Sequence, residues 1–170
     1  FSLKTIDVMR NLSKKDAELF IKMCSHSFMS STTNYFFPVE DEFMQAVGIQ
    51  YEDIMKLSEL GLMFNTGTIS LNFDIDKEPV LLVHNKKLIM MISSTSGNTE
   101  KVRFGQYPLT GVGKELLTLI NETASEEDFL KYAEVLSRNK SYKISVHNII
   151  TWDGDLIKYE NTNLMGQEVQ

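Results

Sequence analysis

The chain opens with two stretches in which apolar residues recur every three or four positions, the period of an α-helix. Leu3, Ile6 and Met9 predict a short first helix over residues 2–11. A capping-box pattern that begins at Ser13 then introduces a longer apolar stripe, which predicts a second helix with one buried face. The members of that stripe are Ala17, Phe20, Ile21, Cys24 and Phe28.

Two further helices are predicted in the middle of the chain, and strands follow them. Residues 40–47 and 50–60 have helical character, and Gly61 stands where a C-cap glycine is expected. Apolar and polar residues alternate over residues 69–73, as in a strand with one buried face. Residues 81–92 predict a β-hairpin because two apolar runs flank a short polar turn.

The last part of the chain continues this mixture of helix and strand. Thr110 is placed to cap one helix, and Ser125 begins a second capping-box pattern before another helical stripe. Alternation resumes at residues 142–147. The dipeptide Asp153–Gly154 is typical of a two-residue turn, so we expect a β-hairpin at this position.

These elements predict an α+β fold, in which a winged-helix-like helical core with antiparallel β-hairpins is followed by a C-terminal helix and a β-hairpin. We expect a winged-helix-like domain over residues 1–121, an α/β appendage packed on it over residues 122–160, and a disordered polar tail over residues 161–170. Because the chain begins at Phe1 rather than at methionine, we also expect it to be a fragment of a larger protein.

Five segments carry a resemblance to known sequences: Phe1–Asp7, Asn11–Ser13, Asp16–Phe20, Glu59–Leu62 and Tyr107–Leu116. They resemble a bacterial family of uncharacterised proteins that has only a domain-of-unknown-function label. The resemblance covers approximately residues 1–121, implies a fold rather than an activity, and carries over no catalytic residue. The pattern Pro-Leu-Thr-x-x-Gly-x-x-Leu, which starts at Pro108, is also similar to the strand-to-helix junction of many winged-helix transcription factors.

The charge of the chain decides whether the predicted helices indicate a DNA-binding domain. A net charge of −6 and a pI near 5.1 oppose long-range attraction to nucleic acid or anionic lipid. Residues 50–60 take the place of a recognition helix, yet Glu52, Asp53 and Glu59 outnumber Lys56 there. Our leading prediction is therefore a non-catalytic interaction or regulatory module of a larger bacterial cytoplasmic protein.

Nucleic-acid binding through a basic wing is the alternative function. Lys86 and Lys87 at the tip of the predicted hairpin, together with Lys101 and Arg103, have the charge needed to contact a phosphate backbone. A simpler interpretation of the same residues is a set of solvated cations that protect a turn and a sheet edge.

A run of aromatic residues predicts a protein-interaction patch. Tyr35, Phe36 and Phe37 are consecutive, and Pro38 prevents the run from continuing as a central strand. Consecutive aromatic side chains between helices are hard to bury together. We therefore expect part of this patch to face a protein partner or the remaining part of the same chain.

No motif predicts catalysis, a metal site or a cofactor. The segment Ser93–Glu100 is similar to the flavin-phosphate loop of flavodoxins, but residues 101–107 alternate like a strand where that loop requires a helix. The histidines His26, His84 and His147 lack the spacing of metal ligands. Flavin mononucleotide binding and a composite enzyme site shared with the rest of a longer chain are the less favoured functions.

The compartment is predicted from the cysteine and the apolar runs. Cys24 is the single cysteine and lies in the apolar stripe of the second helix, so we expect it to be buried and unreactive. A lone cysteine fits a reducing compartment. No apolar run approaches the roughly 20 residues of a membrane helix, and we therefore predict a cytoplasmic protein without a membrane partner.

Overall fold

The structure is a computed structural model, and helices and antiparallel strands both contribute to it, which confirms the α+β class. It describes residues 1–30, 34–65, 73–74, 81–94, 101–102, 105–120, 124–139, 142–153 and 156–166. The chain divides into two compact units. Unit 1 comprises Phe1–Phe28, Asn34–Ser70 and Phe104–Ala124, and unit 2 comprises Met29–Thr33, Leu71–Arg103 and Ser125–Gln170.

The helices of the described residues agree closely with those expected from the sequence. Ser13 and Asp16 form the predicted capping box, and Ser125 accepts a hydrogen bond from Asp128 N. In chain order the elements are α1 (Leu3–Asn11), α2 (Lys14–Cys24), β1 (Phe28–Ser30), β2 (Tyr35–Pro38), α3 (Asp41–Val47), α4 (Tyr51–Glu59), β3 (Phe73–Asp74), β4 (Leu81–His84), β5 (Leu88–Ser94), β6 (Lys101–Val102), β7 (Gln106–Pro108), α5 (Gly111–Ile120), α6 (Glu126–Ser137), β8 (Tyr142–Asp153) and β9 (Leu156–Tyr159).

Strand β7 and the residue after it are paired along both edges in unit 1. On one edge β7 runs antiparallel to β2, and Leu109 N donates to Tyr35 O at 2.9 Å. On the other edge Leu109 forms a bridge with Met63, and Phe64 N donates to Pro108 O at 2.9 Å. Because proline has no N–H, Pro108 cannot return a bond to the Phe64 segment.

Helix α5 begins where the chain passes closest to Leu62. Thr110 N donates to Leu62 O at 3.0 Å, and Thr110 Oγ1 donates to Gly61 O at 2.6 Å while accepting from Gly113 N at 3.1 Å. A Cβ atom on Gly113 would lie 2.1 Å from Leu62 O. The Thr and Gly of the Pro-Leu-Thr-x-x-Gly-x-x-Leu pattern therefore serve this junction.

The aromatic run predicted as a patch belongs largely to the core of unit 1. Phe43 lies 5.7 Å from Phe28 and 5.9 Å from Phe37 between ring centroids, and Phe36 lies 6.3 Å from Phe28. All four rings are buried. Because successive residues of a strand point to opposite faces, β2 is covered on both faces. The predicted interaction patch is therefore corrected for Phe36 and Phe37, and only Tyr35 keeps partly exposed surface.

Unit 2 contains the predicted hairpin, which is confirmed as β4 and β5. The strands of this unit lie in the order β1, β4, β5, β8 and β9. At the turn, Asn85 Oδ1 accepts from Lys87 N and Leu88 N, and Lys86 has a φ of 72°. The hairpin groups with the C-terminal segment rather than with the helices of residues 1–65, because β5 pairs with β8 along its whole length. The boundary expected near residue 121 is close to the one between Ala124 and Ser125.

The C-terminal hairpin is also confirmed, with differences in extent. Strand β8 continues without a break from Tyr142 to Asp153, and residues 154–155 of the predicted turn lie outside the described residues. The predicted disordered tail is corrected for residues 161–166, because Leu164 N donates to Val146 O at 2.8 Å and Asn163 Oδ1 accepts from Val146 N at 3.0 Å. The Asn163 side chain thus serves β8 instead of solvent. Most of the strand expected over residues 69–73 lies outside the described residues.

We predict that Gly113→Ala lowers the free energy of unfolding by about 1–3 kcal/mol, because its new methyl group must displace the Leu62 carbonyl. Gly111 in the same helix is the matched control, since a Cβ there meets nothing within 4 Å. Gly111→Ala should raise the stability by about 0.5–1 kcal/mol. Urea unfolding followed by circular dichroism compares the two variants, and equal effects would contradict the close approach.

Candidate functional site

The residues of the predicted basic wing have different surroundings. Lys86 and Lys87 are exposed at the tip of the β4–β5 hairpin, as expected. Lys87 Nζ lies 3.1 Å from Glu126 Oε1, an exposed ion pair of the kind that contributes little stability. Lys101 belongs to β6, and Arg103 lies outside the described residues. The structure therefore places the first two together and leaves the role of the other two a prediction.

One face of the unit 2 sheet carries a row of four residues from four neighbouring strands. Met29 is opposite His84, His84 is opposite Ile89, and Ile89 is opposite His147. Directly opposed residues point to the same face of a sheet, so these side chains form one continuous row. His84, Ile89 and His147 are almost completely buried.

A β-bulge adds Trp152 to the same face. The pairing of β8 with β9 shifts register between Ile149, opposite Tyr159, and Thr151, opposite Lys158. One extra residue in a strand reverses its alternation of faces, so Trp152 takes the side that His147 occupies earlier in β8. The rings of Trp152 and His84 accordingly meet edge to face, with centroids 4.0 Å apart.

His84 is held as a neutral side chain beneath this tryptophan. Burial lowers its pKa to about 3, and the nearby Lys86 ammonium adds to the effect. Nδ1 of His84 accepts a hydrogen bond from Lys86 N at 3.3 Å, so the ring hydrogen is on Nε2. The imidazole thus supports Trp152 and fixes the hairpin turn without adding a charge.

His147 has a structural role in the same row. Its Nδ1 is 2.9 Å from Glu160 O and 3.1 Å from Thr162 O, and its Nε2 is 2.9 Å from Ser145 Oγ. Since carbonyl oxygens only accept, Nδ1 carries the hydrogen and ties the residues after β9 to β8. Tyr159 covers the ring at a centroid distance of 5.2 Å. Within the described residues, no group of three or more potential metal-binding side chains was found.

A cavity of about 320 Å³ opens beside this row in unit 2. Among the described residues it is lined by Met29, Lys86 and Trp152. The lining combines an aromatic face, a thioether and an ammonium group. Such a combination binds a small planar group that carries negative charge, because the ring supplies stacking and the ammonium supplies the opposite charge.

The helix expected in the recognition position, α4 of unit 1, presents acidic groups. Glu52 and Glu59 are exposed, and its one lysine, Lys56, forms an ion pair with Asp16 of α2. The hydrogen bonds from Lys56 and then from Ser13 hold the pKa of Asp16 below its ordinary value. The cation of α4 is therefore engaged within unit 1.

A second surface, which we call the apolar groove, lies between α1, α2 and α5 of unit 1. It has a volume of about 270 Å³. Ser2 N donates to Glu115 Oε2 at 2.7 Å, which attaches α1 to α5 and lowers the pKa of Glu115. The residues that line the groove are Met9, Leu12, Ser13, Lys14, Ala17, Phe20, Ile21, Leu116, Leu119 and Ile120.

Helix α1 does not bury the apolar stripe from which it was predicted. Leu3 is 82% exposed, and Ile6 and Met9 are 43% and 44% exposed, whereas the one buried residue that α1 shows is Thr5. The stripe continues onto Ile21 and Leu119 at the groove. Exposed apolar residues that are contiguous, rather than scattered, mark an interaction surface.

Sequence reasoning missed Trp152 and Leu119 as surface residues of interest. Period-2 alternation indicated the strand that holds Trp152, but no sequence signal marks the bulge that turns its ring toward His84. Leu119 lies on α5 and is 56% exposed. Its apolar neighbours gave no indication of which side of α5 would lack a covering element.

The loop compared with a flavin-phosphate site lacks the required continuation. Ser93 and Ser94 belong to β5, and residues 95–100 lie outside the described residues. The next described residues, Lys101–Val102, form a strand rather than the helix that such a loop needs. In the described part of the chain, no helix is both long enough and apolar enough to cross a membrane.

The chain matches a protein family over residues 1–134, and the family is described as a protein of unknown function, DUF2806. The match includes most of the chain, which therefore belongs to this family. No curated protein and no solved structure matches the chain significantly. The predicted relationship to an uncharacterised domain-of-unknown-function family is confirmed, and the matched region extends beyond the expected residue 121.

We predict that protonation of His84 is coupled to unfolding. Its pKa is about 3 in the folded chain, and an unfolded histidine titrates near pH 6.5. Between these values the unfolded chain binds the extra proton, so the free energy of unfolding falls as the pH falls, by up to about 1.4 kcal/mol per pH unit.

Urea unfolding at several pH values between about 7.5 and 5 measures this slope, which should be shallower in His84→Gln. An identical pH dependence in the parent and His84→Gln would contradict the buried neutral state.

Proposed function

We propose that this DUF2806 member is a non-catalytic protein-interaction module, and that the apolar groove of its unit 1 binds an amphipathic helix of a protein partner. The exposed apolar stripe of α1, continued by Ile21 and Leu119, is the observation that carries the proposal. An exposed apolar face in water costs free energy that a partner recovers by covering it.

We further propose that unit 1 is of the winged-helix type. The element order supports this: α2 is followed by β2, then by α3 and α4, and β7 pairs with β2 on one edge and bridges Met63 on the other. This pairing supports a winged-helix arrangement, in which a three-stranded sheet accompanies a helix-turn-helix. The hairpin with Lys86 is then an insertion between two sheet segments of unit 1 rather than the wing itself.

Charge argues for a protein partner over duplex DNA at unit 1. A helix that reads the major groove lies among phosphates, where Glu52 and Glu59 of α4 are repelled and Lys56 is already paired with Asp16. The proposed winged-helix unit would therefore present a surface that disfavours the phosphate backbone.

The groove itself fits a helix whose flanks are acidic. Lys14 lines the groove with a side chain that is 91% exposed, and its pair with Glu18 is long, at 3.7 Å. Lys4, Arg10 and Lys15 are exposed on the same two helices. An amphipathic helix placed in an apolar groove presents residues at i, i+3, i+4 and i+7, and acidic residues beside them meet these cations.

The proposed setting is a larger bacterial protein of the cytoplasm. A reducing compartment fits the single cysteine, because Cys24 is buried in α2 and the chain offers no second thiol. The family relationship supports the assignment to a module without a known activity.

We predict that the full chain binds a labelled 16-residue helical peptide with leucines at i, i+3, i+4 and i+7 and glutamates on its flanks. Fluorescence anisotropy should show saturable binding, and a peptide with lysines in place of the glutamates should bind at least about fivefold more weakly. Leu119→Glu should abolish binding, because it places a charge in the apolar groove.

Tyr51→Glu is the matched control, since Tyr51 is 54% exposed on a helix of the same unit outside the groove residues. It should bind like the parent. Equal binding of both peptides, or equal loss in both variants, would overturn the proposal. Sedimentation tests the other occupant: a dimer that Leu119→Glu dissociates would assign the groove to a second copy of the chain.

A further inference from the structure

We propose that the cavity beside Trp152 in unit 2 binds an unpaired nucleobase together with its phosphate, with the base stacked on Trp152 and the phosphate on Lys86. This site is separate from the apolar groove of unit 1 and goes beyond the proposed protein-interaction function. Its ligand class follows from three features of the cavity: an oriented aromatic face, one cation and a limited size.

Trp152 provides the stacking surface. Trp152 as a residue is 38% exposed, so that part of it is accessible, while the edge-to-face contact of its ring with His84 fixes the ring's orientation. The bulge in β8 places it on this face of the sheet. Bases of any sequence stack on such a ring, because every base has an aromatic face.

Among the described residues that line the cavity, Lys86 is the one that carries a positive charge. The turn holds its backbone with a φ of 72°, a conformation that costs free energy for a residue other than glycine. His84 adds no charge because its burial keeps it neutral, and Lys87 is paired with Glu126. Asp153 follows Trp152 in the strand, so its side chain points to the opposite face. One ammonium group matches one phosphate.

The size of the cavity favours a single nucleotide unit. A volume of about 320 Å³ lies at the lower end of the roughly 300–1,000 Å³ that ligand pockets span. A duplex does not fit, because its bases are stacked on one another and its charge density is opposed by the net charge of −6 of the chain. A free nucleotide and a single strand share the chemistry that the cavity recognises.

The intrinsic fluorescence of the full chain tests this site directly, because Trp152 is the one tryptophan of the sequence. Adenosine 5′-monophosphate or a short oligoadenylate should quench it saturably, and adenosine should bind at least about tenfold more weakly than the monophosphate. Inorganic phosphate alone should not quench. Tighter quenching by the oligonucleotide assigns the ligand to a single strand, and quenching by the monophosphate alone assigns it to a free nucleotide.

Lys86→Gly is the decisive variant, because glycine adopts the left-handed turn at Lys86 without strain and the variant should unfold no earlier than the parent. It should weaken binding about tenfold or more. Lys87→Gln, the neighbouring exposed lysine, should bind like the parent. Absence of quenching by both nucleotides, or quenching that Lys86→Gly leaves unchanged, overturns the proposal.

Discussion

The contact between the start of α5 and the Leu62 carbonyl organises unit 1. Gly113 permits the close approach of α5 to Leu62, and Thr110 supplies the hydrogen bonds. Strand β7, which is paired with β2, leads directly into this junction. Helix α5 then provides the surface on which α1 is fixed through Glu115. The apolar groove depends on these contacts. The junction at Leu62 positions α5, α5 holds α1 through Glu115, and apolar residues on the outer sides of both helices remain exposed.

Local signals in the sequence were sufficient for most of the secondary structure, because a cap or a turn is decided by residues within a few positions of one another. Ser13, Thr110 and Ser125 begin helices as predicted, and the two hairpins form where their turns were expected. Periodicity was less informative about burial. It showed that α1 has an apolar stripe, but which helix face meets a neighbour depends on tertiary packing, and Leu3 is the most exposed of that stripe.

The candidate site in unit 2 could be predicted only in part from the sequence, because it depends on the register between neighbouring strands. Lys86 was identified as a candidate phosphate contact because its charge and its turn are visible in the sequence, and that role stays a prediction. Trp152 was not identified, because a register shift changes its face without changing the residues around it. A similar limit explains why the burial of β2 was misjudged: Phe36 and Phe37 are buried because they pack against rings of other elements, Phe28 and Phe43.

Pro108 affects how much the length of the chain segment before it can vary. Among the described residues, one isolated bridge joins Met63 to Leu109, and Pro108 has no N–H with which to extend it toward Phe64. No described residue between Asn65 and Gly105 pairs with β2 or β7 of unit 1, and the entropy of closing such a segment rises only with the logarithm of its length. An insertion at this point should therefore cost unit 1 little stability while the helices around it are retained.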